Sequence, residues 1–293
     1  MVNNVLGEKK KKKATEWIEE YSDYLRSHDY CETTVSMAAS TLAMVAKDLE
    51  VSLVDATTDD LREVLCRYYD RVRPSSLNQY RSILVGFYRY LFICDYIKSN
   101  PATKIPRRAI PKKLPSFIEQ AVVDRILTHD FDISNPIDFQ RKCIFELMLY
   151  CGMKCSEIAS LTTYNTVIFK DGVAILSGKK VIRFYPQELI SQSSLCDYIN
   201  NHPKDITELF PSYTTSRSIQ YMVKSFMIKY CDMYNVTPMT LRHSFAIAMI
   251  NRGVRDIYIS HLLGTKVLHN QNLYKYCNID ILKREYSKYF SRQ

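Results

Sequence analysis

The segment KSNPATKIPRRAIPKK, residues 98–113, constrains the architecture more than any other stretch. Each of its three prolines removes a backbone donor and pushes the preceding residue toward extended backbone. No helix or central strand is expected to run through it. Its six basic residues and lack of any acid suit an extended, positively charged linker. In a chain of 293 residues this break implies two domains, at roughly 100–200 residues per domain. Residues 1–13 then read as a basic tail, 14–97 as an N-terminal helical domain, 98–113 as a basic linker and 114–293 as a second domain.

Before the break the apolar residues recur at helical spacing. Trp17, Tyr21, Tyr24 and Leu25 make one stripe, and a second helix is expected over Thr34 to Leu49. TTDD (57–60) offers N-caps to LREVLCRYYDRV. A fourth helix starts near PSS (74–76), with Leu77, Tyr80, Leu84, Phe87, Tyr88 and Leu91 on one face. Short connections predict a compact four-helix bundle. Lys9 to Lys13 form a like-charged block that repels itself and reads as a solvated tail, with an arm touching phosphates as the alternative.

Beyond the break, SFIEQAVVDRILTH (116–129) predicts a helix with Ser116 as N-cap and Glu119 completing a capping box. CIFELMLYCG (143–152) predicts a helix stopped at Gly152, and KCSEIASL (154–161) starts another. TVIFKDGVAILSGKKVIRFYP (166–186) pairs β-branched residues with DG and GKK turns, a small antiparallel meander. Helices resume from about Ser216, and no internal repeat is visible. The fold class is mainly α with a small antiparallel β-meander.

Composition narrows the function. A net charge of +9 favours a polyanionic partner, nucleic acid or an anionic membrane surface. Nine cysteines without a CxxC pair, most in apolar runs, read as reduced thiols, and a cytoplasmic protein is expected. No apolar run is long enough for a membrane span, and the N-terminus shows no apolar signal core. GxxxxGK[ST], GxGxxG, HExxH and GxSxG are all missing, and the six histidines make no acidic pair at ligand spacing. Neither a cofactor nor a metal is expected.

The segment 237–276 carries the most information: TPMTLRHSFAIAMINRGVRDIYISHLLGTKVLHNQNLYKY. It reads as a helix, a break at Gly253, a second helix and a C-cap at Gly264. It resembles the tyrosine recombinases, or phage integrase family, whose members read approximately TPHxLRHxFAxxLxxxGxxxxxIxxLLGHxxxxxTxxY. The likeness runs through Thr237, Pro238, Leu241, Arg242, His243, Phe245, Ala246, Gly253, Ile259, Leu262, Leu263, Gly264 and Tyr274. LMLYCGMKCSEIASL (147–161) is similar to the family's LxxxTGLRxSELxxL box, and LFPS (209–212) to its LFxS stretch. The linker and preceding bundle resemble the family's interdomain linker and core-binding domain. Together these cover about residues 14 to 290.

The resemblance implies a SAM-like helical core-binding, DNA-binding domain followed by a tyrosine recombinase catalytic domain. It also implies a mechanism without metal, in which a tyrosine attacks the scissile phosphate and protein cations balance the pentavalent transition state. By this register Tyr274 is the nucleophile, with Tyr276 as neighbour and competitor. Arg242 is a phosphate-clamping arginine. Lys179, in the SGKK turn, is the hairpin lysine that protonates the leaving 5′-hydroxyl, with Lys180 as rival. Glu157 holds the site together. Three positions depart from the family pattern. Lys154 replaces a clamp arginine and loses its planar fork. Met239 replaces a histidine and moves no proton. Thr265 replaces a His or Trp and retains a hydroxyl. His243 does not obviously stand in for the missing imidazole, and His269 is a second candidate for proton transfer.

The function implied is a site-specific DNA recombinase or integrase that works through a 3′-phosphotyrosyl intermediate. The implied partners are double-stranded DNA and either three further copies, as a tetramer on paired sites, or a partner recombinase, with LKREYSKYF (282–290) packing on a neighbour. The alternative is a DNA-binding accessory or regulatory homologue that kept the fold and lost the chemistry. A basic helical scaffold with no recombination role is the remaining reading.

Overall fold

The computed structural model describes residues 12–111, 113–170, 172–177, 180–186 and 194–265. Two compact units divide the chain, Met1–Lys112 and Lys113–Gln293.

The first unit holds α1 (Ala14–Ser27), α2 (Glu32–Asp48), α3 (Thr58–Cys66) and α4 (Pro74–Ile93). TTDD caps α3 as expected: Thr57 Oγ1 accepts the Asp60 N–H, and the Asp60 carboxylate accepts the Thr57 N–H at 2.8 Å. Pro74 occupies the first turn of α4, where a missing N–H costs nothing. Gly86 lets α4 approach α1, since a Cβ there would sit 2.8 Å from the Tyr21 hydroxyl. Trp17, Leu42, Leu61, Leu84, Phe87 and Tyr88 fill the core.

The segment read as an extended linker is instead largely fastened to this unit. Pro101–Lys104 forms a 3-10 turn whose Ala102 is buried, as is Ile105 beyond it. Asn100 Nδ2 donates to the Val85 carbonyl, and Thr58 Oγ1 to that of Pro101. Asn78 brackets Arg108, its Nδ2 donating to the Arg108 carbonyl at 2.9 Å while its Oδ1 accepts the Arg108 N–H at 2.8 Å. Prolines do exclude α-helix and strand here, but side-chain amides satisfy the backbone in their place. Lys12, the fourth of the five lysines, is also engaged: it pairs with Glu20 and lies 4.7 Å from the Trp17 ring centroid.

The second unit runs α5 (Gln120–Leu127), α6 (Pro136–Cys151), α7 (Cys155–Ala159), β1 (Thr166–Phe169), β2 (Gly172–Ser177), β3 (Lys180–Pro186), α8 (Leu195–Asn200), α9 (Ser216–Cys231), α10 (Pro238–Asn251) and α11 (Asp256–Leu262). The strands form the expected antiparallel meander in the order β1-β2-β3, with Thr166 opposite Ile175 and Gly172 opposite Pro186. Helix α6 is apolar on most sides and lies at the centre, packed on α10 and α8. Its two buried polar residues hold loops: Gln140 Oε1 accepts the Ser212 N–H and Glu146 Oε2 the Ser194 N–H.

One helix start differs from expectation. Helix α5 begins at Gln120 with Glu119 as N-cap, and Ser116 lies outside it. The cause is a tertiary contact: Ser244 Oγ on α10 accepts the N–H of buried Ile118 at 2.8 Å, which keeps 116–118 out of the helix. Among the described residues no helix is long and apolar enough to cross a membrane.

Candidate active site

The site is built where three chain segments end or begin. Helix α6 stops at Gly152, whose φ of +59° is the left-handed cap that glycine adopts without strain. A Cβ there would come within 2.5 Å of Phe245 and 2.7 Å of Leu263, so no larger residue fits. Lys154 follows as N-cap of α7. Its backbone N–H donates to Glu157 Oε2 at 2.8 Å, which satisfies a helix-end donor and fixes the carboxylate.

Arg242 enters from α10. Thr237 and Thr240 cap that helix and Pro238 fills its first turn, placing Met239 and Arg242 near its N-terminus. Arg242 is buried. Its Nη1 donates to the Gly152 carbonyl and its Nη2 to the Leu263 carbonyl, the latter at 2.6 Å. Glu157 Oε2 lies 3.8 Å from Arg242 Nη1, and Glu157 Oε1 lies 3.9 Å from Lys154 Nζ. One guanidinium thus ties together the ends of α6, α7 and α11, and two cations flank one carboxylate.

These groups open on a cleft of about 560 Å³. Lys154, Cys155 and Ser156 form one wall, and Thr237, Pro238, Met239 and Arg242 a second. The third is α9, through Ser216, Gln220 and Lys224. Burial pushes the Cys155 thiol up to about 11, so it is a neutral wall and no nucleophile. Burial, and then the charge of Arg242, lower the His243 pKa and favour its neutral imidazole. Met239 is half exposed, at 50%, and faces no core that would explain it as packing.

The residues expected in the site are therefore brought together only in part. Lys154, Met239, Arg242 and Glu157 converge. Thr265 closes the end of α11, its N–H bonded to the Ser260 carbonyl at 2.9 Å, and it does not line the cleft. Tyr274, Tyr276, His269 and Lys179 lie outside the described residues. Lys180 is placed only by its backbone, in register with Ser177. The α9 wall was missed from the sequence. Its signal is a polar row at Ser216, Gln220 and Lys224, every fourth residue, running beside the buried row Ile219, Val223 and Met227.

Comparison with known proteins identifies the family and the fold. A sequence model described as the phage integrase family matches residues 116–278. The chain is 26% identical over 258 residues to tyrosine recombinase XerC of Lacticaseibacillus casei (strain BL23), covering 84% of this chain and 82% of that protein. It is 24% identical over 253 residues to XerC of Bacillus subtilis (strain 168), covering 81% and 82%. Among solved structures, XerH site-specific recombinase bound to a palindromic difH substrate in a post-cleavage complex superposes with a TM-score of 0.69 at 16% identity, covering 94% of this chain and 95% of that one. A lambda integrase dimer bound to a COC′ core site superposes at 0.67 with 18% identity, covering 89% and 76%. The match of the family over more than half of the sequence, on a fold shared with these structures, makes the chain a member of the phage integrase family, the site-specific tyrosine recombinases that cut and rejoin DNA.

Proposed function

We propose that this protein recombines duplex DNA at a specific site through a 3′-phosphotyrosyl intermediate formed on Tyr274. The Tyr274 hydroxyl gives its proton to solvent as its oxygen bonds to the scissile phosphorus, the bond to the 5′-oxygen breaks, and that oxygen takes a proton from Lys179. Attack by the 5′-hydroxyl of a partner strand reverses the step and restores the tyrosine, so the bond energy is conserved. Arg242 and Lys154 hold nonbridging oxygens of the phosphate. Guanidinium suits this through its fork, whereas Lys154 supplies one mobile charge. Thr265, off the cleft with its hydroxyl directed at the Ser260 carbonyl, takes no part in this clamp, and Met239 makes no proton transfer.

The observation that carries this reading is the pair of cations set on either side of Glu157 at the mouth of an open cleft. Backbone carbonyls anchor Arg242 from two sides, the preorganisation that electrostatic catalysis requires. Duplex DNA is the proposed partner, held by this cleft and met by the basic 98–113 segment. Four copies on two sites, or copies paired with a second recombinase, would exchange the strands. The lambda integrase and XerH structures, solved on DNA, support duplex binding by analogy of fold, and a lambda integrase tetramer bound to a Holliday junction supports the four-copy assembly.

The test is a pool of nicked duplexes with randomised arms. Wild-type protein should give a covalent adduct on a subset of the pool, from which the site is read. Tyr274→Phe should give none while binding the same duplexes. Binding by the wild type without any adduct would leave only a DNA-binding homologue.

A further inference from the structure

The charge in the cleft leads to a residue that no motif marks. Glu157 offsets one of its two neighbouring cations, Lys154 and Arg242, leaving about one net positive unit. A phosphodiester carries about one negative charge, and its pentavalent state about two, concentrated on the nonbridging oxygens. The cleft so composed suits the ground state. Catalysis needs contacts that strengthen in the transition state. Lys179 discharges its proton onto the leaving oxygen and so serves a different atom. Met239 offers only a thioether, which donates nothing.

Helix α9 supplies what is missing. It packs against α7, the helix that Lys154 opens, and buries Ile219, Val223 and Met227 in a row beside its polar one, which places the polar row at the rim of that contact. Lys224 stands on that polar row, exposed, lining the same cleft as Met239 and Arg242. Its ammonium sits on a flexible four-carbon stem and can follow a phosphate oxygen. We propose that Lys224 is a further catalytic residue, binding a nonbridging oxygen of the scissile phosphate as the fifth bond forms, in the space where Met239 leaves that oxygen without a donor. No covalent bond to Lys224 forms and no proton leaves it. The assignment rests on the cleft being the scissile-phosphate site.

The test uses full-length protein and the nicked duplex recovered from the randomised pool. Lys224→Gln should slow single-turnover adduct formation by about 10²-fold, the usual loss for one transition-state donor. Duplex affinity should fall only by roughly the share of one phosphate contact among several. Lys224→Arg should keep most of the rate. Met239→His added to Lys224→Gln should recover part of it, because a donor returns to the same cleft. On a duplex with a neutral methylphosphonate at the scissile position, Lys224→Gln should cost little, since there is less charge to balance. An unchanged rate in Lys224→Gln, an affinity loss as large as the rate loss, or an equal loss on the methylphosphonate would each overturn the assignment. Absence of adduct from the wild type would sink the recombinase reading and this assignment together, whereas wild-type adduct with an unaltered Lys224→Gln rate would sink the assignment alone.

Discussion

Glu20 in the first unit and Arg242 in the second are both ionised groups drawn partly or wholly out of water, and their partners differ in kind. Glu20 is ringed by side chains: Tyr90 and Tyr96 hydroxyls donate to one oxygen at 2.7 and 2.8 Å, and Lys12 reaches the other. Arg242 is held by backbone carbonyls at two helix ends. Side-chain partners adjust together and close the ring. Carbonyls at helix ends keep their place whatever the neighbouring rotamers do, and so can aim a charge at an open cleft. A buried charge thus reads as structural or functional from what holds it and what it faces, not from burial alone.

Breaking the Arg242 end of this comparison should have the largest effect. Arg242→Met strands the Gly152 and Leu263 carbonyls, at about 1–3 kcal/mol for each unsatisfied group, and should abolish adduct formation. Arg242→Lys keeps the charge without the fork. Its rate should fall by about 10²–10³ with a smaller drop in melting temperature. Equal activity in Arg242→Lys would mean that the carbonyl anchors do not orient the reacting charge.

The Glu20 ring comes next. Glu20→Ala should lower stability by about 1–3 kcal/mol through two stranded tyrosine hydroxyls, measured by denaturant melts, with the adduct rate per folded molecule unchanged. Its pH dependence has a definite sign. Burial alone would raise the Glu20 pKa, but hydrogen bonds from Lys12, Tyr90 and Tyr96 outweigh it and hold the carboxyl below its ordinary value. That stability is present above the free glutamate pKa of about 4.3 and is lost as pH falls through the lowered folded value. Melts between neutral pH and 3 should show the loss in wild type and a flatter profile in Glu20→Gln.

Smaller effects separate the two units further. Asn78→Ala removes both bonds to Arg108 and should cost about 1 kcal/mol, with faster amide exchange confined to residues 105–108. Lys12→Ala removes a half-exposed ion pair and a ring contact. It should cost less than about 1 kcal/mol, and less again at high salt.

Much of this was legible in the sequence where the signal is local. The TTDD cap, the Gly152 stop, the DG meander and the helical stripes each depend on neighbours in the chain, and the structure repeats them. What the sequence did not disclose was set by distant partners. Ser116 loses its capping role because Ser244 takes the N–H of Ile118, 126 positions away. The 98–113 segment is fastened by Asn78, Arg81 and Thr58, none of which has a motif that says so. Lys154, Met239 and Arg242 were readable through their register with the family, whereas Lys224 is one lysine of many until α9 is folded against α7. Tyr274 and Lys179 stand on sequence register alone.

The bond from Arg242 to the Gly152 carbonyl also orders events in time. Its two ends lie 90 positions apart. At synthesis rates of about 5–20 residues per second, the lysine and glutamate of the site emerge roughly 5–18 s before the arginine that joins them. The Leu263 carbonyl follows later still, and Tyr274 last. A nascent or truncated chain that ends before Arg242 therefore lacks the assembled cluster of Lys154, Glu157 and Arg242. On the proposed mechanism, a half-made molecule therefore cuts no strand that it could not reseal.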